Sequence, residues 1–204
     1  MSCISLHKGQ DLSCGNWVKK YYQQLVLINK SDVNDFNTLS KKNEDGTFRH
    51  RIQFDLKAGK TGYRFQGAEN GTSFNARFSK EIVDNIPQYL HELQLPILGA
   101  SEETKYILKT LDYANYFAAI QLMDGKVEVY GFENGLTTGD YTFDLQGNMG
   151  GSFIPLESKD LEDEPPYIYY SLTPLSDFNE LFANVNLVSL GDFNDDFNND
   201  FYTL

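Results

Sequence analysis

After Lys159 the chain contains neither lysine nor arginine, although the same 45 residues hold ten Asp and Glu. This stretch therefore supplies ten of the twelve net negative charges of the 204-residue chain. Residues 1–80 carry the opposite bias, a net +6, and residues 81–159 carry −8. The acidic balance argues against sequence-blind binding to nucleic acid, which draws on Lys and Arg neutralising phosphates. A basic front and an acidic rear attract one another between copies over about a Debye length, so the split points to head-to-tail assembly before it points to chemistry.

Other absences narrow the field further. No run of eighteen apolar residues exists, and no apolar stretch lies between a basic start and a small-residue cleavage site, so a soluble product without membrane span or export signal is expected. Cys3 and Cys14 are the only cysteines, with no CxxC pair and no His at zinc-ligand spacing. They are expected to be free thiols, with a bridge stapling the N-terminal arm as the alternative. His7, His50 and His91 are scattered and read as surface or packing residues.

No GxSxG, HExxH, P-loop or dinucleotide fingerprint occurs. Ser152 follows Gly150-Gly151 without a strand-to-helix elbow or a nearby His. The neighbouring acids at 162–164 and at Asp195-Asp196 fall in stretches read as wet and flexible, where nothing separates their pKa values as two-carboxylate hydrolysis requires. Residues 192–200 lack the Gly and the terminal Glu of a calcium loop. No catalytic residue, metal or cofactor is expected.

What the chain does have is aromatics, thirteen Tyr and fifteen Phe, which suit a mainly β fold. Residues 23–29 read as a buried strand. In residues 48–56, Phe48, His50, Ile52, Phe54 and Leu56 alternate with Arg49, Arg51, Gln53 and Asp55, the period of a half-buried strand. Strands at 63–66 and 73–82 follow across turns at 58–60 and 69–71, and the spacing predicts a three-stranded antiparallel meander. It would cluster Arg49, Arg51, Lys57, Lys60, Arg64 and Arg77, either as a surface for acidic partners or as a solvated face.

Ser101 before two Glu, with Tyr106, Ile107, Leu108 and Leu111 at helical spacing, predicts a helix packing on the sheet. A shorter helix is expected at 87–95. Residues 116–123 and 126–132 around Asp124-Gly125 read as a hairpin, with further β pieces at 140–145 and 167–172, for about eight strands in all.

The end of the chain repeats Asp-Phe-Asn at 177–179, 192–194 and 196–198, with Asp200-Phe201 as a degenerate copy. Phe193, Phe197 and Phe201 recur every four residues and would line one face of a helix docked in a groove; the alternative is a solvated end.

Several short patterns occur in order. They are Cys3-x-Ser-Leu-x-x-Gly9-Gln-x-Leu-Ser-Cys14, Ile28-Asn29 with Asp32-Val33, Tyr63-x-Phe65, Glu69-Asn70-Gly71-Thr72, Ala119-Ile120-x-x-x-Asp124-Gly125, Tyr130-Gly131 and Gly135-Leu136. Together, over about residues 1–172, they resemble tail-tube-like virion structural proteins of tailed bacteriophages, in particular of Bacteroides-type phages. The resemblance implies a tail-tube-like β-sandwich or barrel with one flanking α-helix (1–172); the acidic, Phe-rich C-terminal extension (173–204) departs from it and points to a specialised ring held to the next ring by its arm. It also implies a homo-oligomeric ring of 6-fold or 12-fold symmetry in the virion, at the tail or head-tail connector. Genomic DNA would pass through its lumen without specific binding, and adjacent ring proteins would be its partners.

Interface residues are expected at Arg49, Arg51, Lys57, Lys60 and Arg64, and at Phe193, Phe197 and Phe201. One alternative is a monomeric β-sandwich binding module, for instance for glycans stacking on Tyr167, Tyr169 and Tyr170. Another is a hydrolase using Asp195 and Asp196.

Overall fold

The computed structural model describes residues 22–42, 48–66, 74–122, 125–144 and 151–170. The arm at 173–204, Cys3, Cys14, His7 and the 69–71 turn lie outside them. The fold is mainly β, with eleven strands and one α-helix among the described residues. The strands are β1 (Tyr22–Asn29), β2 (Val33–Lys42), β3 (Phe48–Leu56), β4 (Tyr63–Gln66), β5 (Asn75–Val83), β6 (Ile86–Leu98), β7 (Tyr116–Leu122), β8 (Val127–Tyr130), β9 (Leu136–Thr138), β10 (Gly151–Ser158) and β11 (Tyr167–Tyr169).

The helix α1 (Glu102–Leu111) begins where the sequence places it, with the Ser101 hydroxyl accepting from the Thr104 N–H at 3.1 Å. Leu108 and Leu111 bury its apolar stripe. The 116–132 hairpin also holds, since β7 pairs with β8 from Ala118↔Tyr130 to Gln121↔Val127.

β1 and β7 form the spine, pairing antiparallel along seven registered positions. Every residue of β7 is buried, and in β1 Leu25 to Ile28 are at most 1 % exposed. Both strands are therefore covered on both faces, which is why they read as unbroken apolar runs. On one side Leu25, Leu27, Ala118 and Ile120 pack against Leu93, Leu95 and Ile97 of β6, Ile154 and Leu156 of β10, and helix residues Leu108 and Leu111. On the other, Val26, Ile28, Phe117 and Ala119 meet Ile52 and Phe54 of β3. The Phe117 ring lies edge-on to Phe54 at 5.0 Å and to Phe132 at 5.3 Å. The sheet, in the order β2-β3-β11-β8-β7-β9-β10-β6-β5, folds over its own centre to make these two cores.

The three-stranded meander does not form. β3 pairs with β2 and, in parallel, with β11; β4 pairs with β1; β5 pairs with β6. Short links suggested neighbours, but β1 is apolar on both faces and takes β4 on the edge that β7 leaves open, with Leu25 beside Phe65. The expected helix at 87–95 is instead part of β6. Its buried residues His91, Leu93, Leu95 and Ile97 fall at a period of two. Among the described residues, Pro87 and Pro96 each face a registered neighbour on one side, Ile82 and Phe153 respectively, where a missing N–H is tolerated. The sequence reading missed β2, an exposed edge strand with apolar residues at Val33, Phe36 and Leu39 and no alternation to reveal it.

Candidate functional site

Two regions stand out, a buried polar knot and a pair of sheet edges. The knot forms where the turn after β8 meets the loop between β10 and β11. Glu162, 1 % exposed, accepts from the backbone N–H groups of Glu133 (2.8 Å) and Asn134 (3.0 Å). Its own N–H and C=O pair with Tyr89 of β6, both at 2.8 Å. Glu133 in turn accepts from the Asp163 N–H at 2.8 Å, and Lys30 donates to the Glu133 carbonyl. Asn134 donates to the Leu161 carbonyl at 2.7 Å.

Burial pushes the Glu162 carboxyl above its ordinary range, the two backbone donors working against it. Residues 162–164 are thus not uniformly wet as the sequence suggested: Glu162 is enclosed, while Asp163 stays exposed.

His91 is the second member of the knot. It is 2 % exposed, and its Nδ1 accepts from the Gly131 N–H at 3.0 Å. Desolvation holds its pKa down to about 4, against a weaker pull from the Glu164 backbone, so the ring is neutral at pH 7. Gly131 has φ +67, and a Cβ there would fall 2.4 Å from Cγ of the buried Leu136, so only glycine fits. His91 is a packing residue, as expected. His50 also packs, stacking on Tyr167 at 4.4 Å with its Nε2 2.9 Å from the Pro165 carbonyl.

The basic residues lie on three strands that do not pair with one another and on the link after β3. Arg49 and Arg51 lie on β3 opposite Lys41 and Leu39, and the Arg51 guanidinium sits 4.4 Å over the Tyr170 ring. Lys57 donates to the Ser31 carbonyl at 2.6 Å, and Lys60 pairs with Asp32 at 3.3 Å, both tying the link after β3 to the 3-10 turn at Lys30–Asp32. Arg64 is on β4 beside Val26, and Arg77 of β5 forms a two-pronged pair with Glu92 at 2.6 and 2.8 Å. Lys57, Lys60 and Arg77 are engaged in local pairs, and the meander that would have gathered all six cations does not form. The three tyrosines are divided too: Tyr167 is buried, Tyr169 packs on Phe54, and Tyr170 alone is exposed. Phe193, Phe197, Phe201, Asp195 and Asp196 lie outside the described residues.

The edges leave bonding capacity open among the described residues. Among the described residues β2 pairs only with β3, and β5 only with β6. These two ends of the sheet are ten and nine residues long, and both are largely exposed. Sequence reasoning found β5 as the strand expected at 73–82 but gave it the wrong neighbour, and it missed β2, whose exposed residues leave no apolar period. No group of three His, Cys, Asp or Glu among the described residues could hold a metal ion. No described helix is long and apolar enough to cross a membrane. Searches against protein-family models, curated proteins and solved structures returned no match for this chain.

Proposed function

We propose that the protein is a non-catalytic structural subunit that assembles with copies of itself into a ring of a phage tail or head-tail connector. The observation that carries the reading is the pair of long, exposed strands that end the sheet on either side among the described residues. An uncovered edge of this length is a template for another strand, and soluble proteins normally blunt it. Two dissimilar edges that meet head to tail give a heterologous contact, which closes into a ring when the rotation allows and otherwise grows as a filament. The split of charge between basic residues 1–80 and an acidic remainder favours the same polarity of contact. The resemblance to tail-tube-like proteins adds the virion setting, the 6-fold or 12-fold order and a lumen that passes DNA without binding it.

Mass photometry of the purified chain across salt concentrations, with electron microscopy of any large species, tests the assembly. Closed rings or short tubes that dissociate as salt rises are the expected result. A monomer at every salt concentration and protein concentration would remove the self-assembly reading. Deleting residues 177–204 is expected to leave the circular dichroism spectrum of the β domain in place while shortening stacks of rings in negative-stain images.

A further inference from the structure

The β5–β6 hairpin extends beyond the body of the protein. Among the described residues the Tyr89–Glu162 pairing is its last attachment through the backbone, and residues 81–87 are all exposed. Asp84 and Asn85, at φ 52 and 66, close the tip as a two-residue turn. The register assigns the side chains to faces. On one face Phe78 lies beside His91, Lys80 beside Tyr89 and Ile82 beside Pro87, and on the other Val83 lies beside Ile86 at the tip. The first of these faces continues the core face of β6, whose His91, Leu93 and Leu95 are buried further down.

An apolar face built for packing therefore runs past the body with nothing described over it. On this face Phe78 is 49 % exposed and Ile82 69 %. An aromatic track leads onto it from the core, with Tyr130 5.6 Å from His91, His91 6.3 Å from Phe78 and Phe78 6.1 Å from Tyr89. Lys80 on the same face makes no salt bridge among the described residues.

We infer that this hairpin face, formed by Phe78, Lys80, Ile82, Pro87 and Tyr89, receives the acidic, Phe-containing segment 171–204 of a second copy of the chain. The inference rests on the assembly reading above and names its receptor. Three observations select this occupant. The segment's repeated Asp-Phe-Asn units offer rings to an aromatic track and carboxylates to Lys80. The length fits, since 34 residues lie beyond Tyr170 and the overhanging face is about five residue pairs long.

The direction fits as well. β8 ends at the turn whose Glu133 and Asn134 bind Glu162 at the hairpin base, and β11 runs antiparallel to β8. The chain thus passes Tyr170 heading away from its own hairpin. That direction favours the hairpin of a second copy over the chain's own.

The test uses the full-length chain with a photoreactive benzoylphenylalanine in place of Ile82, mixed from isotopically heavy and light batches. Irradiation followed by mass spectrometry identifies what position 82 touches and whether the partner is another copy. The expected product joins position 82 to residues 171–204 in heavy–light pairs. Its yield should fall about tenfold or more when Phe193, Phe197 and Phe201 are all changed to Ser, the loss expected for removing buried aromatic anchors.

Products confined to one copy, products with any other segment, or no product at all overturn the assignment. Mass photometry of the same samples separates the two ideas. Large particles with products elsewhere leave the ring and remove this receptor, whereas monomers without heavy–light products remove both.

Discussion

Changing Glu162 to Ala lowers the thermal midpoint by about 10 °C, or about 4 kcal/mol for a chain of this size. The loss arises from two backbone donors in a part-buried turn, the N–H groups of Glu133 and Asn134, which the carboxylate alone satisfies within that turn. Each donor left without a partner costs about 1–3 kcal/mol, and the partial relief of a buried charge offsets some of the total. Glu162→Gln keeps one acceptor oxygen and removes the charge, so it should lose only about 1–2 kcal/mol. Differential scanning calorimetry of the three proteins at pH 7 checks the order; an Ala variant as stable as the Gln variant would mean that water serves the two donors equally well.

Acid weakens the fold through His91, with loss beginning near pH 6.5 and complete near pH 4. The folded pKa of about 4 lies below the ordinary 6.5, so between those values the unfolded chain takes up a proton that the folded chain refuses. Stability present above pH 6.5 is therefore lost as the pH falls, by about 3 kcal/mol for a gap of this width. Glu162 acts with the opposite sign. Its raised pKa lets the folded state bind a proton before the unfolded state does, which restores some stability over the acid range.

Urea titrations from pH 7 to 4 should show a steeper acid loss for Glu162→Gln than for the parent. They should show a flatter profile for His91→Asn, whose amide oxygen can replace Nδ1 as acceptor for Gly131. Parallel profiles for His91→Asn and the parent would refute the assignment to His91.

The parts of this fold written in local chemistry were legible from the chain. Ser101 ahead of two glutamates marked the start of α1, the Asp-Gly pair marked the β7–β8 hairpin, and the alternation in residues 48–56 marked β3 to the residue. Strand partners were not legible, because what places β4 on β1 and β11 on β3 is two-sided burial of a spine assembled from residues about a hundred positions apart. Nor was the knot. Glu162 sits in an acidic run, and its burial follows from a backbone pairing with Tyr89 that no spacing announces. His91 could have been found from its place in the 91, 93, 95, 97 alternation, had residues 87–95 been read as a strand.

The parallel contact between β3 and β11 also governs how the chain comes together during synthesis. Residues 51 and 52 wait for residues 168 and 169, so more than a hundred residues must emerge before that seam can close. Such distant closure slows the productive route, and in the interval Ile52 and Phe54 lack part of their cover. A nascent chain halted before residue 167 exposes β3 on the side that β11 later occupies, the same kind of open edge through which mature copies are proposed to join. Premature joining at β3 is thus the misassembly to which this topology is most open, and timely arrival of three residues, Tyr167–Tyr169, is what prevents it.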